Sequence, residues 1–374
     1  MVMSSPPLIL HDYFAIRGGG ERLVLTLAAA LEATLAFGYR TGDSYDLEQF
    51  PDRLIDLTLP SPLRRSGVRP LALAGRFALA RHQSRAFPLR IYSGVASPFA
   101  ALAGDGLNVF YCHTPPRFLF DQQAHFSAQL NPLARAVSRP VLAAFAAGYR
   151  RAVARMQLIV VNSRTTQARV QRFLGRDSVI VHPPCDTERF RWQGQGDYYL
   201  STARLTPLKR VDRIVSAFRA MPDKKLIVAS GGEDLGRLRQ MAAGHPNIEI
   251  RGWVSDAELT ELVGNAIATL YVPVDEDFGM SPVESMAAGK PVIGVAEGGL
   301  VETVLPGATG TLLAPDFSDD DLAGAVRAMT PAAAAAMRQR CEERAQDFDR
   351  ATFVTAMRRV LDEAARAHGT TAAR

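Results

Sequence analysis

Val272-Pro-Val-Asp-Glu-Asp-Phe-Gly-Met-Ser-Pro-Val-Glu-Ser-Met-Ala-Ala-Gly289 is the stretch on which the reading of this chain turns. The apolar run before it, Ala266-Ile-Ala-Thr-Leu-Tyr-Val272, reads as a buried strand. Ser281, Pro282 and Glu284 then read as N-cap, first helical residue and capping-box partner, so a helix should start at Pro282. Pro291-Val-Ile-Gly294 supplies the next strand. A strand, a glycine loop and a helix start, in that order, aim backbone N–H groups and the positive end of a helix dipole at one spot, which suits a phosphate. Two carboxylates, Glu276 and Glu284, flank that spot.

The same residues admit simpler readings. Ser281-x-x-Glu284 is also an ordinary capping box. Asp275-Glu-Asp277 looks like the Asp-x-Asp of metal-dependent transferases, and Asp277-Phe-Gly279 like the kinase triplet. Both are rejected, the first because such triplets arise by chance, the second because no His-Arg-Asp loop precedes it.

Outward from this stretch, the chain alternates strands and helices. Leu8-Ile-Leu-His-Asp12 reads as a strand, followed by Arg17-Gly-Gly-Gly-Glu-Arg22 and an apolar helix from about Leu23 to Leu35. Leu107-Asn-Val-Phe-Tyr-Cys112 ends in His113-Thr-Pro-Pro-Arg117, with a histidine at the carboxyl end of a strand. A helix is expected from Pro140 to Met156, carrying Arg150, Arg151 and Arg155 on its polar side. Leu158-Ile-Val-Val161 is a strand, and Asn162-Ser163 caps the helix after it. Val179 to Phe190, with two prolines, reads as an interdomain crossover, and His182 in it as structural. Tyr198-Tyr-Leu-Ser-Thr202 leads into a loop with Arg204 and Lys209, cations that can neutralise a diphosphate. Lysine is scarce here, 4 against 39 arginines, so Lys209 departs from the chain's habit. Lys225 to Ser230 and Ile248 to Gly252 are further strands, and Ser255 or Asp256 caps the helix after the second. Three helical patterns finish the chain after Ala314.

Glu276-Asp-Phe-Gly-Met-Ser-Pro-Val-Glu284, Ser285 to Gly294 and Gly298-Gly-Leu-Val-Glu302 together resemble the signature of glycosyltransferase family 4. Arg204-x4-Lys209 resembles that family's diphosphate pair, Gly18-Gly19-Gly20-Glu-Arg its diphosphate- and acceptor-facing turn, and His113-Thr-Pro-Pro-Arg117 a segment of bacterial O-antigen and exopolysaccharide mannosyl- and rhamnosyltransferases. Asp277 and Ser281 depart modestly from the family's pattern.

The resemblance implies an α/β protein of GT-B type, two doubly wound Rossmann-like domains facing across a cleft. The expected domains are residues 1–183 on the acceptor side, joined by a C-terminal helix at about 350–374, and 184–349 on the nucleotide-sugar side. It implies a retaining transfer in which Glu276, Lys209, Arg204 and His113 act on the reacting sugar and phosphate. Glu284 would hold the ribose, the amides of Gly279, Met280 and Ser281 the phosphates, and the backbone near Val254 the nucleobase. Arg117 would meet an acceptor phosphate. No cofactor and no metal are expected. The donor is a nucleotide sugar, GDP-mannose or a GDP-deoxyhexose favoured over a UDP-sugar, and the acceptor a glycan or a polyprenyl-diphosphate-linked saccharide. An epimerase of the same fold and a non-catalytic glycan-binding relative are the competing classes.

Composition bounds the setting. The 374 residues are 47% hydrophobic, enough for two cores, and no run of 18 apolar residues suggests a transmembrane helix. The start of the chain lacks a signal-peptide pattern. Cys112, Cys185 and Cys341 show no pairing or metal spacing, which fits a reducing cytoplasm. Between Leu57 and Arg176 stand 17 arginines and two acids, Asp105 and Asp121, so this segment carries +15 of a whole-chain +5. Leu63 through Arg76, Arg81, Arg85 and Arg90 interleaves arginine with Leu, Ala and Phe, as an interfacial helix does. A peripheral position on the anionic inner face of the cytoplasmic membrane is expected; no nucleic-acid motif accompanies the charge.

Overall fold

The computed structural model describes residues 6–65, 67–104, 106–123 and 131–369, with backbone only at 132–134. The first five residues, Asp105 and the last five residues of the expected C-terminal helix lie outside the described residues. The chain forms two compact units. One runs to Pro183 and takes in the chain from Phe353 onward; the other is Pro184–Thr352.

The first unit holds β1 (Leu8–His11), β2 (Thr34–Phe37), β3 (Leu54–Asp56), β4 (Leu89–Ser93), β5 (Leu107–Cys112), β6 (Leu158–Val161) and β7 (Val179–Ile180). They form one parallel sheet in the order β3-β2-β1-β4-β5-β6-β7. Its central strands are buried throughout, as a sheet covered on both faces requires. Side chains alternate between two cores. Leu8, Leu10, Tyr92, Phe110 and Val161 meet helices Arg69–Ala80 and Pro132–Val153. Ile9, Ile91, Val109, Tyr111 and Val160 meet helix Gly19–Ala30 and, through Phe353, Met357, Val360 and Leu361, the last helix, Arg350–Ala367.

The second unit holds β8 (Tyr198–Ser201), β9 (Lys225–Val228), β10 (Ile248–Ile250), β11 (Thr269–Tyr271), β12 (Val292–Val295) and β13 (Gly310–Leu313). The parallel order is β10-β9-β8-β11-β12-β13. Each unit thus has a point where strand order reverses, β1/β4 in the first and β8/β11 in the second. Doubly wound sheets open a ligand crevice at the carboxyl ends there.

Five expectations need correction. The helix expected from about Leu23 to Leu35 runs Gly19–Ala30, because Leu35 belongs to strand β2. The arginine-rich helix stops at Ala80, and Arg90 lies in central strand β4, fully buried with its guanidinium against Gly106. Pro88 breaks the helical pattern and the Ile91-Tyr92 pair favours a strand, so Arg90 belongs to a core and not to a polar face. Pro140 does not start its helix but sits inside Pro132–Val153, and Arg155 lies beyond the helix end, bonded to the Ala101 carbonyl at 3.0 Å. Ser281 is not a cap and Pro282 not the first helical residue: helix Met280–Ala287 begins two residues earlier, after Gly279 at φ +89°. A left-handed residue there favours glycine over a side-chain cap. Among the described residues four helices, not three, follow Ala314. Ser163 and Ser255 do cap their helices, accepting from Thr166 N–H at 3.1 Å and Glu258 N–H at 3.2 Å.

Candidate active site

In the second unit the polar residues converge at the β8/β11 reversal. Lys209 ends a short turn, Pro207–Lys209, beyond β8. Its Nζ forms an ion pair with Glu276 Oε2 and donates to the Tyr271 hydroxyl at 3.0 Å. Tyr271, the last residue of β11, donates in turn to Glu276 Oε2 at 3.0 Å. Burial first, then the Glu276 carboxylate, with Glu284 and Asp277 adding to it, holds the Tyr271 phenol well above its ordinary pKa. The phenol therefore stays a hydrogen-bond donor. Its signal in the sequence was position alone, a phenol at a strand's carboxyl end five residues before Glu276.

The Glu276 loop is built by backbone contacts. Gly299 N–H donates to the Glu276 carbonyl at 2.7 Å. A Cβ on Gly298 would stand 2.2 Å from that carbonyl oxygen, and one on Gly299 2.4 Å from Phe278 Cα. Both glycines are needed for this close approach. Arg210, which the sequence reading passed over, clamps the loop. It donates to the carbonyls of Val272 and Pro273 at 2.7 and 2.8 Å and pairs with Glu297 at 3.5 Å. Glu297 also accepts from the Asp275 N–H at 2.8 Å, where Asp275 takes a left-handed φ of +49°.

The other expected residues of this unit are distributed around that cluster. Glu284 lies on the first turns of helix Met280–Ala287, half-buried, near enough to act on Tyr271. Gly279, Met280 and Ser281 form the start of that helix. Arg204 is exposed on the same loop as Lys209 and, among the described residues, makes no ion pair. Val254 packs on the small core beside helix Asp256–Asn265, next to Trp253, which is 71% exposed and lies against Gly231.

In the first unit, His113 follows β5 and is half-buried. Its carbonyl accepts from Asn162 Nδ2 at 2.8 Å and Thr166 Oγ1 at 3.3 Å. Its ring lies 3.4 Å from where a Cβ on Gly20 would be, so the glycine turn and the histidine are neighbours. Gly18 is the N-cap position of helix Gly19–Ala30, and its carbonyl accepts from the Tyr45 hydroxyl at 3.0 Å. Burial lowers the His113 pKa to about 4, leaving the ring neutral near pH 7. Arg117 is paired with Asp121 at 3.2 Å, and Arg169 shares that carboxylate at 3.5 Å. His182 Nδ1 lies 2.9 Å from the Asn162 carbonyl.

The cluster of the second unit offers an ammonium, a phenol and a carboxylate, groups suited to anions and hydroxyls. Residues 186–348 match the family model described as glycosyl transferases group 1. A D-inositol 3-phosphate glycosyltransferase of Mycolicibacterium paratuberculosis is 31% identical over 42% of this chain and 41% of its own length. The chain thus spans less than half the length of that relative, and likewise 43% of its Mycobacterium avium counterpart. An alpha-1,3/1,6-mannosyltransferase of Dictyostelium discoideum is 24% identical over 83% of this chain and 86% of its own. Among solved structures, sucrose-phosphate synthase of Thermosynechococcus elongatus has a TM-score of 0.75 at 19% identity, covering 97% of this chain and 100% of that one. HepE of Anabaena in complex with UDP and glucose has 0.74 at 17%, covering 96% and 100%. The fold is the two-domain, Rossmann-like GT-B fold.

Proposed function

We propose that this chain is a retaining hexosyltransferase that moves a mannose-type sugar from a nucleotide diphosphate to a glycan or polyprenyl-diphosphate-linked acceptor. The observation that carries the reading is the Lys209–Tyr271–Glu276 cluster at the β8/β11 reversal, beside a helix N-terminus. A diphosphate seated on the Gly279–Ser281 amides would draw Lys209 away from Glu276. Lys209 and Arg204 then neutralise charge that grows on the phosphate as the sugar–phosphate bond breaks, while Tyr271 keeps the freed Glu276 aligned to accept from sugar hydroxyls. Glu284 holds the ribose and His113 the sugar's outer hydroxyls. The departing phosphate takes the acceptor proton on the face where it leaves, which retains the configuration. The cations and the helix end meet the diphosphate, so the reaction should survive EDTA.

GDP-mannose is the favoured donor on the His113-Thr-Pro-Pro-Arg117 segment, and the mannosyltransferase relative supports the mannose part of that reading. The exposed apolar residues Leu63, Leu71 and Leu79, set among Arg65, Arg81 and Arg85, support contact with an anionic membrane surface. The deciding experiment supplies GDP-mannose or UDP-glucose with polyprenyl-diphosphate saccharides and follows nucleotide release and the anomeric signal of the product. Transfer from GDP-mannose with retained configuration is expected. Transfer from UDP-glucose alone would overturn the donor, and inverted product the mechanism.

A further inference from the structure

His11 is a buried histidine for which the proposed reaction has no use. It closes β1, and the register of the sheet sets it directly beside Ser93, the last residue of β4. Its Nδ1 lies 3.1 Å from Ser93 Oγ, and Ser93 Oγ lies 2.8 Å from His113 Nε2. Three successive strand ends therefore line up His11, Ser93 and His113 across the β1/β4 reversal. Ser93 is itself fixed, since its carbonyl accepts from Ser97 Oγ at 3.0 Å and from Asp12 N–H at 3.3 Å.

A serine hydroxyl has one proton, so it can donate to only one of the two rings and must accept from the other. The two distances set the direction. The 2.8 Å contact suits an O–H donor and the 3.1 Å contact an N–H donor. We infer that His11 and Ser93 are positioning residues that hold His113 as its Nδ1–H tautomer, with Nε2 occupied by the Ser93 proton. A histidine side chain in water favours the opposite, Nε2–H form, so the relay reverses a default. Among the described residues His113 Nδ1 has no hydrogen-bond partner, which leaves it as a fixed donor to a ligand oxygen. The hydrogen bond at one ring nitrogen thus determines what the other can do.

That the ligand oxygen is a sugar hydroxyl rests on the function proposed above; the relay itself does not. Ring ¹⁵N spectra of the full chain labelled at histidine, with His113 assigned through His113→Gln, read the tautomer directly. The wild type should show His113 protonated at Nδ1. Ser93→Ala should shift it to the Nε2–H form or an average, and Ser93→Thr, which keeps the hydroxyl, should restore it. His113 found as Nε2–H in the wild type, or unmoved in folded Ser93→Ala, would overturn the relay. In the transfer assay, Ser93→Ala should lower kcat about tenfold, the loss of one aligned hydrogen bond, with KM little changed. A shifted tautomer with unchanged kcat would uphold the relay and remove His113 from the reaction.

Discussion

Tyr271 joins the two charged groups on which the proposed chemistry depends, and it does so with a proton it cannot easily lose. Tyr271→Phe keeps the ring in its place and removes only the bridge. Folding stability should change by no more than about 1 kcal/mol, while kcat falls about tenfold. Lys209→Ala and Glu276→Ala should each cut kcat by more than about tenfold with the fold intact by circular dichroism. Near-normal rates in both would remove this cluster from the reaction. Acid should weaken the first unit for a different reason. Burial, with His113 adding to it, lowers the His11 pKa from 6.5 to about 3. The unfolded chain then binds more protons than the folded one below pH 6.5, so stability falls as pH drops. The cost is about 2 kcal/mol per such ring by pH 5, and His113 acts with the same sign. Asp12, raised by burial to about 6, opposes this below pH 6 but offsets only one of the two rings. Urea titrations from pH 7 to 4.5 should show the decline, and His11→Gln should flatten it. The sequence shows which residues carry charge at strand ends. It does not show Tyr271, Arg210 or Ser93, whose importance comes from what the fold sets beside them.

At the scale of elements, the strands legible in the sequence were those with an unbroken apolar run and a polar loop after it: β1, β5, β6 and β8 to β12. β2, β3 and β4 were not. β2 is four residues following directly on its helix, β3 is three residues with little burial, and β4 adjoins a run of arginines whose pattern continues into it at Arg90. Periodicity cannot separate a buried arginine from an exposed one, because the difference lies in what meets the guanidinium. The start of helix Met280–Ala287 is hidden in the sequence for a related reason. Ser281 looks like a cap, but the loop needs Gly279 left-handed and so begins the helix sooner. That loop's geometry also depends on Gly298, whose Cβ would meet the Glu276 carbonyl oxygen at 2.2 Å. Gly298→Ala should therefore cost about 1–3 kcal/mol and lower turnover together, as measured by denaturation and assay. Ser163→Ala removes a cap and should cost about 1 kcal/mol.

Across the whole molecule, charge is divided along the chain: the segment from Leu57 to Arg176 is strongly basic and the remainder acidic. Several of those arginines are committed within the first unit, Arg64 and Arg76 to backbone carbonyls and Arg90 to the core. Arg65, Arg81 and Arg85 remain exposed, as does Leu79. Among the described residues no helix is long and apolar enough to cross a membrane. Vesicles rich in anionic lipid should sediment the protein at low salt and release it as salt rises, and Leu79→Ser with Arg81→Ser should weaken that binding. Salt-independent binding, or none, would leave the basic segment without this role. Whether the second unit seats a nucleotide diphosphate against Lys209 is read from thermal unfolding of wild type and Lys209→Ala with GDP, UDP, ADP and their sugar conjugates. A ligand at about 100 times its Kd stabilises by about 2.7 kcal/mol. The wild type should shift clearly upward, with GDP species ahead, and Lys209→Ala much less. No shift with any nucleotide, or an equal shift in the variant, would contradict that seating.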